Sequence, residues 1–172
     1  MDAKVSEILR WRVIFMLNFT NLEKVSFDRT EAEQVLDKYE TVFFKIYDDE
    51  IQEAEGMIGF KFPKELRYFY KNVGSGFVKS NSEYFVNRLM DPESVADLRL
   101  RQDVYEENPR YDYIDDEESL AFFEINESSF LTLKFKQANE LGQCPIYSDS
   151  TKIADSLEEF LNKMVENPDY YI

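Results

Sequence analysis

Apolar residues recur at helical spacing in the N-terminal part of the chain. Residues 32–46 carry apolar side chains at every third or fourth position, and Thr30 with Glu33 has the spacing of a capping box. This pattern predicts one helix of about four turns. Two further helices are predicted, one over 48–58 that ends at a glycine and one over 63–73 that opens with a proline.

The middle of the chain changes to strand patterns. Residues 120–125 and 130–135 are rich in aromatic and aliphatic side chains, and the polar residues 126–129 lie between them. This arrangement predicts a β-hairpin. Further strands are predicted over 84–90 and 145–147.

A last apolar stripe, over 153–165, predicts a C-terminal helix. Helices thus come first, strands occupy the middle and a helix closes the chain. This order predicts an α+β fold with a small antiparallel sheet flanked by N-terminal helices and one C-terminal helix. The chain has five glycines, five prolines and no linker-like tract, so we expect a single domain over 1–172, with residues 1–28 as an N-terminal extension.

The residue types present argue against most catalytic chemistry. The chain has no histidine, which is the commonest general base and a usual ligand of zinc, copper and iron. Its one cysteine, Cys144, lies among apolar neighbours, which predicts a small buried side chain in a reducing compartment. We therefore expect no enzyme activity, no metal and no cofactor. A pair of carboxylates such as Asp115 and Glu117, held across a cleft, is the catalytic alternative.

The charge balance restricts the partners. The net charge is −15, from 35 acidic and 20 basic residues. Such a surface repels phosphate backbones and anionic lipids, so neither a nucleic acid nor a membrane is expected as a partner. No apolar run approaches the roughly 20 residues that a membrane span needs. A cytoplasmic location and a basic protein partner are predicted instead.

One segment concentrates the acidity. Residues 91–118 hold eleven acidic and three basic residues, a balance of −8. Tyrosines alternate with the acids, a composition that suits an interface with a basic protein. The alternative is an exposed acidic loop whose tyrosines pack back onto the body of the protein. The predicted partner-binding residues are Tyr105, Glu106, Glu107, Tyr111, Asp112, Tyr113, Asp115, Asp116, Glu117 and Glu118.

Two groups of residues resemble the signatures of a known family. The C-terminal group is the strand at 145–147 followed by the apolar stripe at 153–161. The N-terminal group is a spaced set comprising Ile51, Glu55, Gly59, Pro63, Leu66, Phe69, Gly74 and Gly76. In order and separation they resemble the SUKH superfamily, which includes the yeast cell-wall-assembly regulators and many bacterial immunity proteins. The two groups bracket residues 48–165.

The resemblance implies both a fold and a role. It implies an α+β fold with a small antiparallel sheet wrapped by helices and, in bacteria, an immunity protein that neutralises a cognate toxin by binding it. The resemblance also implies that such a toxin is often a nuclease. Because nucleases grip phosphates with basic residues, we expect one basic, nuclease-type toxin as the partner. We expect the chain itself to be a monomer or a weak homodimer. The alternative is a protein-binding scaffold module with several weak partners, as in the yeast regulators.

Overall fold

The structure is a computed structural model that describes residues 19–106 and 111–172. Short 3-10 helices lie at Arg29–Glu31, Asp103–Tyr105 and Phe135–Gln137. The described residues also form six α-helices: Thr20–Glu23 (α1), Ala32–Leu36 (α2), Asp48–Ile58 (α3), Lys64–Asn72 (α4), Pro92–Leu100 (α5) and Leu157–Glu166 (α6).

The strands form one sheet in which spatial order equals chain order. β1 and β2 are parallel, and every later neighbouring pair is antiparallel. This confirms the predicted α+β fold. The strands are Ser26–Phe27 (β1), Val42–Phe44 (β2), Ser75–Phe77 (β3), Arg88–Leu89 (β4), Leu120–Asn126 (β5), Ser129–Leu133 (β6), Ile146–Ser148 (β7) and Thr151–Ala154 (β8).

The apolar stripe over 32–46 does not form one helix, so that prediction is wrong. The helix α2 is short, its N-terminal turn is capped by the Asp28 side chain with Glu31 rather than by Thr30, and the chain then enters β2. Phe43 of β2 is fully buried between β1 and β3. An apolar run that is buried on both faces of a sheet has no alternation to distinguish it from a buried helix.

The next two helices confirm their predictions. Gly59 ends α3 in the left-handed conformation, with φ of 80°, as glycine commonly does at this position. The buried carboxylate of Glu55 accepts hydrogen bonds from Lys61 Nζ at 2.9 Å, Arg67 Nε at 2.9 Å and the backbone N–H of Phe62 at 3.0 Å. It therefore joins the end of α3 to the start of α4.

The predicted hairpin is confirmed as β5 and β6, and both of its faces are covered. On one face, Phe123 packs against Phe160 of α6 with ring centroids 5.1 Å apart. Its cross-strand partner is Leu131, which therefore shares that face. Phe130, the preceding residue on β6, points to the opposite face, which the acidic segment covers.

The C-terminal helix begins later than its stripe predicts. The residues around Ile153 pair with β7 as the strand β8, and α6 starts only at Leu157. The Ser156 side chain caps this helix by accepting a hydrogen bond from the backbone N–H of Glu159 at 3.0 Å. A serine three residues before a glutamate is a sequence signal for a helix start, and here it marks the true boundary.

A second buried carboxylate fixes α6 to the rest of the fold. Glu65, near the start of α4, is 2% exposed. Its Oε2 atom accepts hydrogen bonds from the backbone N–H groups of Leu157 and Cys144, both at 3.2 Å. One side chain thus joins α4, the loop before β7 and the first turn of α6.

The described part of the predicted N-terminal extension belongs to the fold. Phe19 and Leu22 are buried, and the ring of Phe19 lies edge-on to Phe69 with centroids 4.9 Å apart. β1 then adds to the sheet beside β2. Residues 19–28 therefore contribute core contacts, and the part of the predicted extension before Phe19 lies outside the described residues.

Candidate partner-binding site

The acidic segment lies against the hairpin, and aromatic side chains hold it there. Tyr105 and Tyr111 are both buried and pack edge-on to one another at 5.6 Å. The ring of Tyr111 also lies 5.5 Å from that of Phe130, and its hydroxyl donates to the carbonyl of Glu127 at 3.2 Å. Edge-on aromatic contacts of this kind stabilise a buried cluster. These two tyrosines are anchors of the segment to the protein itself.

Two arginines from the end of α5 hold the segment from the other side. Arg101 donates to the carbonyl of Tyr111 at 2.9 Å and lies 3.0 Å from the carboxylate of Asp116. Arg99 adds a longer contact to the same carboxylate at 3.9 Å. Burial raises the pKa of Asp116, and the two guanidinium groups oppose that shift. Asp116 is therefore engaged inside the protein.

The predicted partner-binding residues divide into three groups. Tyr105 and Tyr111 are buried and Asp116 is half-buried and paired, so they support the segment, as the packing alternative states. Glu107 lies outside the described residues. The members whose side chains reach solvent are Glu106, Asp112, Tyr113, Asp115, Glu117 and Glu118. Partner binding by this segment stays a prediction, and among the described residues burial narrows the set to these six.

A groove of about 490 Å³ opens where the segment meets the sheet. Tyr113 is 48% exposed and lines it, and its hydroxyl accepts a hydrogen bond from the backbone N–H of Phe130 at 3.2 Å. The lining combines apolar, hydroxyl and charged groups from three parts of the chain. We call it the Tyr113 groove, and it is lined by Tyr113, Ile114, Asp115, Ser119, Phe130, Thr132, Lys134, Asp149 and Ser150.

A second, more acidic groove of about 570 Å³ lies between the first turn of α3 and the N-terminal half of α5, and Arg29, Ala32, Phe44 and Ser75 also line it. Burial and the neighbouring charges of Asp103 and Asp91 raise the pKa of Asp97 in its wall. Sequence reasoning missed this groove because Glu50, which lines it, lies far from the acidic segment in the chain. We call it the α3–α5 groove, and its carboxylates are Glu50, Asp91, Glu93, Asp97 and Asp103.

Cys144 lies outside both grooves. Cys144 is buried, as predicted, and burial raises the pKa of its thiol to about 12. The described ranges contain no group of three or more acidic, cysteine or histidine side chains that could hold a metal ion. Among the helices in those ranges, none has the length and apolarity needed to cross a membrane.

The fold and the two signature groups together indicate a protein family. The family described as SUKH_6, SMI1-KNR4 cell-wall, matches residues 48–161, from the start of α3 into α6. The chain belongs to this family, which confirms the resemblance found in the sequence.

A comparison with one curated protein is more specific than the family match. The chain is 41% identical over 135 residues to the Immunity protein YxxD of Bacillus subtilis (strain 168). The alignment covers 77% of this chain and 89% of the relative. No solved structure matches the chain.

Proposed function

We propose that this chain is an immunity protein that binds and neutralises one cognate toxin, a basic protein of the nuclease type. The likeness to an immunity protein along 89% of that protein's length carries the proposal. Membership of the SMI1-KNR4 family supports it. Neutralisation by binding needs a complementary surface rather than a catalytic group.

The nuclease part of the proposal rests on charge. A nuclease site that binds a polyanion is positively charged. This chain has a net charge of −15, and two of the six exposed members of the predicted set, Tyr113 and Asp115, line the Tyr113 groove. Opposite charges accelerate association and favour one orientation of the two partners. An acidic surface can thus cover a phosphate-binding site by presenting the same sign of charge.

The surface that we assign to the toxin is the solvent-facing side of residues 105–106 and 111–118, the C-terminal part of the acidic segment. The buried rings of Tyr105 and Tyr111 hold the described part of the segment against the hairpin, so its exposed side chains project from a fixed backbone. A surface that is already ordered loses less conformational entropy on binding. We therefore place the contact on the exposed acids and on Tyr113, with its groove.

The test captures the partner and then measures its toxicity. The tagged full chain is used to capture proteins from a lysate of its own source organism, with washes at low and moderate salt. The captured protein is then expressed alone and together with this chain. We expect growth arrest from the partner alone and restored growth on co-expression. We also expect purified partner to degrade RNA or DNA until one molar equivalent of this chain is added.

Each other outcome has a definite meaning. Several non-toxic partners that are lost at moderate salt would contradict immunity and support the scaffold module. A toxic partner that leaves RNA and DNA intact would retain the immunity role and remove the nuclease assignment.

A further inference from the structure

The Tyr113 groove has walls that suit a long side chain. The half-exposed ring of Tyr113 forms one wall, and the adjoining residues Ile114 and Phe130 are apolar and anchored in the core. Thr132 of β6 lies on the same face of its strand as Phe130 and also lines the groove. These four residues therefore give the groove apolar and hydroxyl surface.

Two carboxylates at this groove have no positive partner among the described residues. Asp115 and Asp149 both line it, and neither forms an ion pair in the described ranges. Lys134, the basic residue of the lining, places its Nζ atom 4.4 Å from the ring centroid of Tyr147. This cation–π contact directs the Lys134 ammonium towards the ring of Tyr147.

The backbone holds both carboxylates in place. Asp149 occupies the two-residue turn between β7 and β8 with φ of 49°, a left-handed conformation that aspartate tolerates better than most residues. Asp115 accepts the backbone N–H of Glu117 at 3.1 Å, and its own carbonyl accepts the N–H and the hydroxyl of Ser119. The two negative charges are therefore presented by ordered turns.

We propose that the Tyr113 groove receives an arginine side chain of the toxin, with the stem against Tyr113 and the guanidinium between Asp115 and Asp149. The proposal rests on the proposed function for the identity of the partner. Arginine fits each element of the groove, because its planar cation stacks on aromatic rings and pairs with carboxylates. Arginine is also among the residues that contribute most to binding at protein interfaces.

The first test uses an arginine probe and needs no toxin. The full chain, labelled with nitrogen-15, is titrated with N-acetyl-arginine amide, and N-acetyl-citrulline amide serves as the uncharged isostere. We expect saturable shifts at the backbone amides of 113–115, 130–134 and 149–150, with a Kd on the order of millimolar for a single side chain. Citrulline should bind at least ~10-fold more weakly, since it lacks the charge.

Matched variants locate the effect. The double variant Asp115→Asn and Asp149→Asn removes both charges, and asparagine keeps the turn hydrogen bond and tolerates the left-handed backbone. Its Kd for the arginine probe should rise ~10-fold or more. The control Asp97→Asn and Asp103→Asn removes two charges from the α3–α5 groove and should leave the Kd within ~2-fold, since only long-range charge changes. Equal weakening in both variants, or shifts centred on the α3–α5 groove, would overturn the proposal.

The second test uses the toxin that the neutralisation experiment provides. Asp149→Asn should raise the Kd of that toxin ~10-fold, with the control variant near wild type. If the toxin binds Asp149→Asn and the double variant as tightly as it binds wild type, the groove assignment is overturned and the proposed function is kept. Failure of the wild-type chain to bind any toxin would instead overturn the proposed function.

Discussion

Two buried glutamates ten residues apart illustrate how differently one residue type can be used. Glu55 accepts hydrogen bonds from two cations and a backbone N–H, which hold its pKa below the usual value although burial acts to raise it. Glu65 has no cationic partner among the described residues, and its Oε1 atom accepts no hydrogen bond. Burial raises its pKa, although backbone N–H groups oppose that shift.

The two glutamates should make opposite contributions to the pH dependence of stability. A raised pKa in the folded state gives Glu65 a stabilising contribution that is complete below the unfolded pKa and is lost as pH rises through the folded pKa. A lowered pKa gives Glu55 a contribution that is present above the unfolded pKa and is lost as pH falls through the folded pKa. Urea titrations between pH ~3 and ~7 give the free energy of unfolding and so measure both contributions.

Glutamine variants separate the two contributions. With Glu65→Gln, the stability of wild type relative to the variant should fall as pH rises. With Glu55→Gln, it should rise as pH rises. Two variants whose free energies run parallel to wild type across this range would show that neither carboxylate changes its proton affinity on folding.

Gly74 and Gly76 show which structural constraints on a glycine can be predicted from its neighbours in the sequence. Gly74 comes directly after the predicted helix over 63–73, and it does follow α4 with φ of 120°. Its other constraint has no local signal, because a Cβ atom there would overlap the carbonyl oxygen of Phe44 on β2. Gly76 lies within β3 and meets the backbone of Val42 in the same way. The close approach of β2 and β3 thus comes from pairing across the sheet.

At the level of elements, prediction succeeded where the pattern was local. The hairpin and the end of α3 at Gly59 depend on neighbouring residues. It failed over 32–46 because the burial of β2 depends on strands that are distant in the chain. It also missed β8, whose pairing with β7 outweighs the apolar stripe that continues into α6.

Two tyrosines of the acidic segment should have different roles: truncating Tyr111 should lower stability, and truncating Tyr113 should weaken toxin binding. Tyr111→Ala removes a buried ring and should lower the free energy of unfolding by about 3–5 kcal/mol, as large aromatic truncations do. Tyr113→Ala removes a half-exposed ring, so it should destabilise by roughly 1 kcal/mol or less beyond its one hydrogen bond, while weakening toxin binding. Urea unfolding and calorimetric titration measure the two effects.

The conservative variant Tyr111→Phe refines that test. It keeps the ring contacts with Phe130 and loses only the hydrogen bond to Glu127, which should cost about 1 kcal/mol. Equal toxin affinity for wild type and Tyr113→Ala would remove Tyr113 from the predicted interface.

For the whole molecule, charge should govern the rate of association. Reversing two exposed acids of the segment, Glu117→Lys with Glu118→Lys, should slow association with a basic toxin by ~10-fold at low salt and flatten its salt dependence. The control, Glu33→Lys with Asp37→Lys, changes the net charge equally on exposed residues near α2. Stopped-flow kinetics at several salt concentrations compares them. Equal slowing in both would assign the effect to net charge alone.

The candidate site could be predicted only as a stretch of sequence. The composition of the sequence indicates the acidic segment. Only the structure shows that Tyr105 is buried beneath it and that Tyr113 faces solvent. Asp149 joins the groove only because β7 lies beside β6, a pairing that no local pattern contains. Grooves built from distant segments, such as the α3–α5 groove with Glu50, follow from tertiary packing and not from spacing along the chain.

The equality of strand order and chain order has a consequence for biosynthesis. Each strand from β2 to β8 pairs with the one made before it, so a chain that leaves the ribosome N-terminus first can extend the sheet at its growing edge. No strand has to be inserted between two that are already paired. Completion still waits for the last segment, because the Glu65 carboxylate receives the N–H of Leu157 only when α6 has been synthesised.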